Sequence, residues 1–201
     1  MTLTDQFGDI DIYLFDQLLR GRISPGMRVL DAGCGAGRNL IYMLREGYEV
    51  FAADADPAAV EQVRRLASTL APQLPSQNIV VAPVERMPFP DALADVVLSS
   101  AVLHFARDDR QFDAMVHEMW RILKPGGMLW ARLASTIGLA DLVQPVAGRW
   151  SRLPDGTERY VVDEALLTDM TRRLGARLLD PIKTTVVSNQ RSMTTWVVRK
   201  L

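Results

Sequence analysis

Short apolar runs alternate with amphipathic segments along most of the chain, and the alternation breaks only toward its end. Over residues 9–20, Ile10, Tyr13, Leu14 and Leu18 recur at helical spacing and Gly21 supplies a stop, which predicts a helix ahead of the first strand. The turn residues Ser24, Pro25 and Gly26 lead into 28–33, a β-branched and apolar run that predicts a buried strand. Residues 39–46 read as a helix with Gly47 as its C-terminal cap, and 49–54 as a second strand. Asp56 and Pro57 open the next helix. An Asp carboxylate accepts from orphan backbone N–H groups, and proline at the first helical position loses nothing by lacking its own. Val60, Val63, Leu66 and Leu70 continue that helix. Further strands are expected over 78–83, 95–100 and 128–135, with a helix marked by Phe112, Met115, Val116, Met119 and Leu123 between the last two.

Strands alternating with helices at this rhythm call for a parallel sheet covered on both faces, so the predicted fold is α/β and doubly wound. The tail departs from the rhythm. A helix over 163–174 is followed by strand-like runs over 180–187 and 193–200, whose connection is too short for a parallel crossover. A C-terminal antiparallel hairpin is therefore expected to complete a seven-stranded, mostly parallel sheet. The chain's 201 residues suit one domain. Its expected parts are an N-terminal helical cap (1–24), a ligand-binding core (25–135), a lid (136–162) and the C-terminal helix and hairpin (163–201).

A net charge of −1 removes any strong electrostatic case for a nucleic acid or an anionic membrane as partner. The single cysteine, Cys34, excludes an internal disulfide and fits a cytoplasmic protein. The N-terminal stretch lacks a basic start followed by an apolar run, and no segment approaches the ~18 apolar residues of a membrane span, so neither export nor insertion is expected. Two histidines far apart in sequence and one cysteine give no reason to expect a metal.

The chemistry concentrates at DAGCGAG, residues 31–37. Gly33, Gly35 and Gly37 stand where a strand turns abruptly into a helix, letting the backbone approach a ligand closely while the helix start offers free N–H groups. A nucleoside-type ligand suits this elbow, although tight turns also carry glycines for packing alone. A pyrophosphate-binding fingerprint would place glycine or alanine at position 38, and Arg38 stands there instead. Asp31 precedes the first glycine by two residues. Asp54 closes the second strand, where an acid either accepts both hydroxyls of a ribose or is simply a solvated strand end beside the cap Asp56. His104 follows the fourth strand at the end facing the ligand crevice. It reads either as a general base with a pKa near ~6.5 or as a packing and hydrogen-bonding residue. Cys34 reads as a small loop residue rather than a nucleophile.

Taken in order, VLDAGCGAGRN (29–39), FAADADPAAVEQ (51–62), VERMPFPDALADVVLSSAVLHF (84–105) and HEMWRILKPGG (117–127) resemble class I S-adenosylmethionine-dependent methyltransferases. The likeness is to the small-molecule enzymes that include ubiquinone, sterol and tellurite-resistance methyltransferases, and it covers about residues 28–135. It implies S-adenosylmethionine as cofactor, with in-line transfer of its methyl group to a small-molecule acceptor by a monomer or homodimer. By the same resemblance Asp31 and the loop residues Gly33, Cys34 and Gly35 hold the methionine end through water and backbone groups, Asn39 is a further cofactor-binding residue, and Asp54 binds the ribose. Ala55, Val84 and Glu85 border the adenine, and Ser99 lies near the sulfonium. Pro83 departs from the family pattern, which often has Asp there for the adenine amino group. A connection as long as 138–160 is often a binding loop. Arg149, Trp150, Arg152 and Tyr160 are expected to shape the acceptor pocket with Tyr13 and Phe15; the alternative is a surface helix on the sheet edge. Two rival readings are a non-catalytic protein binding the same cofactor and an NAD-dependent oxidoreductase, the latter opposed by Arg38. Methylation of nucleic-acid amines is opposed by SSAV (99–102), which stands where those enzymes carry Asn/Asp-Pro-Pro-aromatic.

Overall fold

A computed structural model describes residues 2–201. Its elements run α1 (Leu3–Phe7), α2 (Ile12–Leu19), β1 (Arg28–Ala32), α3 (Ile41–Arg45), β2 (Glu49–Asp54), α4 (Pro57–Leu70), β3 (Ile79–Val81), β4 (Ala94–Ser100), α5 (Asp109–Ile122) and β5 (Leu123–Ala134). Three short strands follow, β6 (Gln144–Ala147), β7 (Trp150–Arg152) and β8 (Glu158–Tyr160), then α6 (Glu164–Arg173), β9 (Ala176–Leu178), β10 (Lys183–Val187) and β11 (Arg191–Lys200).

The main sheet has the order β10-β11-β5-β4-β1-β2-β3. Strands β1 to β5 are parallel, and β11 runs antiparallel to both β5 and β10. The doubly wound reading and the terminal antiparallel pair are thus both present. Alternate residues of the central strands feed two cores. Val29, Val50 and Ala52 pack with Leu40, Met43, Val60 and Val63 on one face. Leu30, Ala32 and Val97 pack with Phe112, Met115 and Met119 on the other. Strand order reverses between β1 and β4, so the carboxyl ends of these two strands open the crevice in which such sheets bind ligands.

Four expectations shift. The helix expected over 9–20 starts only at Ile12, because Asp11 caps it by accepting from the Tyr13 N–H at 3.0 Å, and a separate five-residue α1 precedes it. Strand β5 starts at Leu123 rather than 128: Leu123 pairs with Ala94 and Met128 with Val96, so 124–127 bulge out of register. The edge beyond β11 is divided between β9 and β10, giving an eighth strand. The division falls at Asp180-Pro181, where proline has no N–H to give a ladder and the buried Asp180 carboxylate takes Arg22 at 2.8 Å and Gln17 at 3.1 Å. The segment 138–160 contains no surface α-helix but the antiparallel meander β6-β7-β8, joined to the main sheet by a bridge between Ser135 and Val162. No described helix is long and apolar enough to cross a membrane.

Trp196 on β11 is fully buried, and its indole N–H donates to Thr171 Oγ1 at 2.9 Å, which locks α6 onto the antiparallel part of the sheet. Trp196→Ala is expected to lower unfolding free energy by ~3–5 kcal/mol, as for other large-to-small core changes, with Trp196→Phe costing less. Urea midpoints measure this, and a loss under ~1 kcal/mol for the alanine variant contradicts the packing described.

Candidate active site

The turn from β1 into α3 is fixed by backbone bonds to the neighbouring strand. Gly33 N–H and Cys34 N–H both donate to the Ala53 carbonyl, at 2.8 and 3.1 Å. Gly33 has φ +82°, and a Cβ there would come within 2.5 Å of Val102 Cγ2, so both conformation and space require glycine. Gly35 has φ +50° with nothing within 4 Å of where a Cβ would point. Its N–H donates to Asp54 Oδ2 at 2.8 Å, and the Asp56 N–H donates to Asp54 Oδ1 at 2.9 Å. Loop and strand tip are thereby joined through one carboxylate, on the rim of a cleft of about 550 Å³.

That cleft brings together Gly33, Cys34, Gly35, Asn39, Asp54, Ala55, Val84 and Glu85, with Pro83 beside the last two. Glu85 Oε1 accepts from the Gln111 amide at 2.9 Å. Asn39 Oδ1 accepts the Asp11 N–H at 3.0 Å, which ties the N-terminal segment to the loop. Arg38 reaches across the mouth and donates to Ser100 Oγ at 3.0 Å. Burial pushes the Cys34 thiol well above its usual range, so it carries no thiolate near neutral pH. Asp31 does not line the cleft. It is buried, neither carboxylate oxygen has a hydrogen-bond partner among the described residues, and burial pushes its pKa up to about 7 against the pull of Arg38.

A second cavity, of about 380 Å³, adjoins the first at Ala101, which lines both. Ala101 holds φ +62° while its N–H donates to the Arg132 carbonyl at 2.7 Å, an uncommon conformation for a residue with a Cβ. Around this cavity stand His104, Arg132, Asp155, Thr157, Arg159 and Arg191. His104 is buried, and its Nδ1 accepts the Ala134 N–H at 3.2 Å, so the proton of the neutral ring sits on Nε2. Burial, then the charge of Arg159, lowers its pKa to about 4.

The model of a family described as a methyltransferase domain matches residues 30–131. The chain belongs to the class I S-adenosylmethionine-dependent methyltransferases. A probable S-adenosylmethionine-dependent methyltransferase of Mycobacterium tuberculosis is 32% identical over 193 residues, covering 86% of this chain and 67% of that protein. A malonyl-[acyl-carrier protein] O-methyltransferase of Serratia marcescens is 30% identical over 141 residues, covering 70% of this chain and 49% of that one. The chain spans about half the length of several curated relatives it matches. Among solved structures, a methyltransferase from Methanosarcina mazei shares the fold with a TM-score of 0.70 at 20% identity, over 92% of this chain and 97% of that one.

Against the methyltransferase motifs, two expected placements change. Ser99 is fully buried, its Oγ has no partner among the described residues, and it does not line the cleft; the next residue, Ser100, does. Neighbouring strand residues face opposite ways, so a shift of one position at the end of β4 exchanges the inward side chain for the outward one. The side chains expected to shape the acceptor pocket are engaged elsewhere. Arg149 pairs with Asp163 at 2.9 Å, and Trp150 and Arg152 both donate to Glu158. Tyr160 stacks on Phe112 and donates to Asp109 at 2.7 Å. Tyr13 lies under the Arg132 guanidinium and Phe15 packs on Phe7. None of these six lines either cavity. The meander supplies Leu153, Asp155, Thr157 and Arg159 instead. Phe105, which with His104 follows the fourth strand at the crevice end, lines the cleft, whereas sequence reasoning missed Gln111 there. Gln111 had one signal: it is the third residue after the helix cap Asp108.

Of the two roles read for His104, this geometry favours the hydrogen-bonding one, because a neutral ring with Nδ1 engaged has no lone pair left to take a proton. Its lowered pKa carries a stability consequence. The contribution is fully present above the unfolded value of ~6.5. It is lost as pH falls toward 4, because the unfolded chain binds a proton that the folded chain resists, and the full difference is about 3 kcal/mol. Between pH 7 and 4, His104→Gln is expected to lose correspondingly less stability than the parent in urea titrations; equal losses contradict the assignment.

Proposed function

We propose that this chain transfers a methyl group from S-adenosylmethionine to a small-molecule acceptor, with the donor in the glycine-loop cleft and the acceptor in the cavity beyond Ala101. The observation that carries this reading is Asp54. Each of its oxygens is fixed by one backbone N–H and keeps further accepting capacity, at the tip of β2, where a ribose diol offers two donors.

Other features fit the same donor. The open side of Gly35 lets a ligand lie against the loop backbone, as a side chain there would prevent. Asp31 is a buried carboxylate lacking a partner among the described residues, and the methionine end of the cofactor brings an ammonium group that pairs with it through water. The adenine lies against Ala55, Pro83 and Val84. Since Pro83 has no N–H, the Val84 amide and Glu85 remain to recognise the base edge. When bound, S-adenosylmethionine supplies a methyl group made electrophilic by its sulfonium. The chain contributes alignment of acceptor and donor and exclusion of water, with no covalent enzyme intermediate.

Calorimetric titration of the parent and Asp54→Ala tests the ribose contact: the variant is expected to bind S-adenosylmethionine ~1.5–3 kcal/mol more weakly, and unchanged affinity contradicts the placement. Asp31 gives a second expectation. Its pKa near 7 in the free protein falls when the ammonium arrives, so binding releases a proton and tightens as pH rises through that value. Titrations in two buffers of different ionisation heat read the release directly, and an absence of proton release near pH 7 contradicts the role given to Asp31.

A further inference from the structure

We propose that the cavity beyond Ala101 selects an acceptor bearing a monoanionic carboxylate, held by the guanidinium of Arg159. This rests on the methyl-transfer reading above, since it concerns the second substrate of that reaction.

Three guanidinium groups line the cavity, and two already have carboxylate partners. Arg132 pairs with the buried Asp11 at 3.1 Å, and Arg191 pairs with Asp155 at 2.6 Å. Arg159 differs: among the described residues no carboxylate stands within ion-pair distance of it. Its guanidinium lies over the ring of Phe105, 4.9 Å from the centroid, and Nη1 donates to the Glu158 carbonyl at 2.6 Å. Of the five N–H donors of a guanidinium, one is thus spent, and the remaining edge suits the two parallel hydrogen bonds that a carboxylate accepts. Phe105 also lines the donor cleft, so Arg159 is seated on the wall between the two cavities.

The charge balance narrows the ligand. Asp155 answers Arg191, and Asp11 is shared between Arg132 at 3.1 Å and Arg38 at 3.6 Å, which leaves the charge of the half-buried Arg159 as the one in this cavity with no carboxylate partner among the described residues. A monoanion cancels it, whereas a dianionic phosphate leaves a charge uncompensated, at a desolvation cost. Among the described residues, both candidate bases of the cavity are already engaged. The Nδ1 lone pair of His104 is engaged by the Ala134 amide, and Asp155 is held by Arg191 and by both the N–H and hydroxyl of Thr157. A carboxylate arrives deprotonated at neutral pH and needs no such group.

The test is ligand-observed NMR and calorimetry on the protein saturated with S-adenosylhomocysteine, using benzoate and hexanoate against benzamide and hexanamide, with phenyl phosphate as a third arm. Carboxylates are expected to bind roughly tenfold or more tightly than their amides and more tightly than the phosphate. Arg159→Gln is expected to erase the carboxylate preference and Arg159→Lys to keep part of it, with melting temperatures checking that both variants fold. The parent comparison of acid with amide stands without any variant. Equal binding of acids and amides, a preference for phosphate, or a preference that survives in Arg159→Gln overturns the inference. If S-adenosylhomocysteine does not bind the parent protein, the methyl-transfer reading falls and takes this inference with it; if it binds and the acid preference is absent, only this inference falls.

Discussion

One carboxylate holds the site in shape. Asp54 ends β2 and receives the Gly35 N–H, while Gly33 and Cys34 donate to the carbonyl of its neighbour Ala53. The glycine turn therefore cannot drift from the strand beside it. Loop, strand tip and the start of α4 move together, because the Asp56 N–H occupies the second oxygen. The positive φ of Gly33 and its contact with Val102 extend this rigidity toward the end of β4. A ligand arriving in the cleft meets donors and acceptors already oriented, which lowers the ordering cost of binding.

From that fixed corner the second half of the site follows. Asp11 is pinned through the Asn39 side chain and draws in Arg132 from β5, so the N-terminal segment, the loop and the far strand share one buried network. Ala101 then divides donor space from acceptor space with its backbone, and Arg159 reaches the dividing wall from the meander. The methyltransferase core and the 138–160 segment thus perform separable tasks. On the proposed reading, the first presents the cleft for the nucleoside, and the second completes a cavity whose charge selects the acceptor.

The core strands were legible because a parallel sheet buried on both faces leaves continuous apolar runs, as in β1, β2 and β4. Asp54 was legible because its position depends only on where β2 stops. Features set by distant partners were not. The shift of β5 to Leu123 depends on the register against β4, and the break between β9 and β10 depends on Asp180 meeting Arg22 and Gln17 from the other end of the chain. The exchange of Ser99 for Ser100 came from the two-residue period of a strand, where a one-residue error in the end reverses a side chain. The meander was hidden for a similar reason: its strands are three or four residues long, too short to show a period, and its charged side chains find partners that only the folded turn supplies.

A crystal structure of the protein with S-adenosylhomocysteine decides how the cleft holds the nucleoside. The proposed methyl transfer places the ribose hydroxyls on Asp54, the amino-acid end over the glycine loop toward Asp31, and the sulfur facing Ala101 and the cavity that contains Arg159. A nucleoside bound away from Asp54, or a sulfur turned away from that cavity, would contradict it.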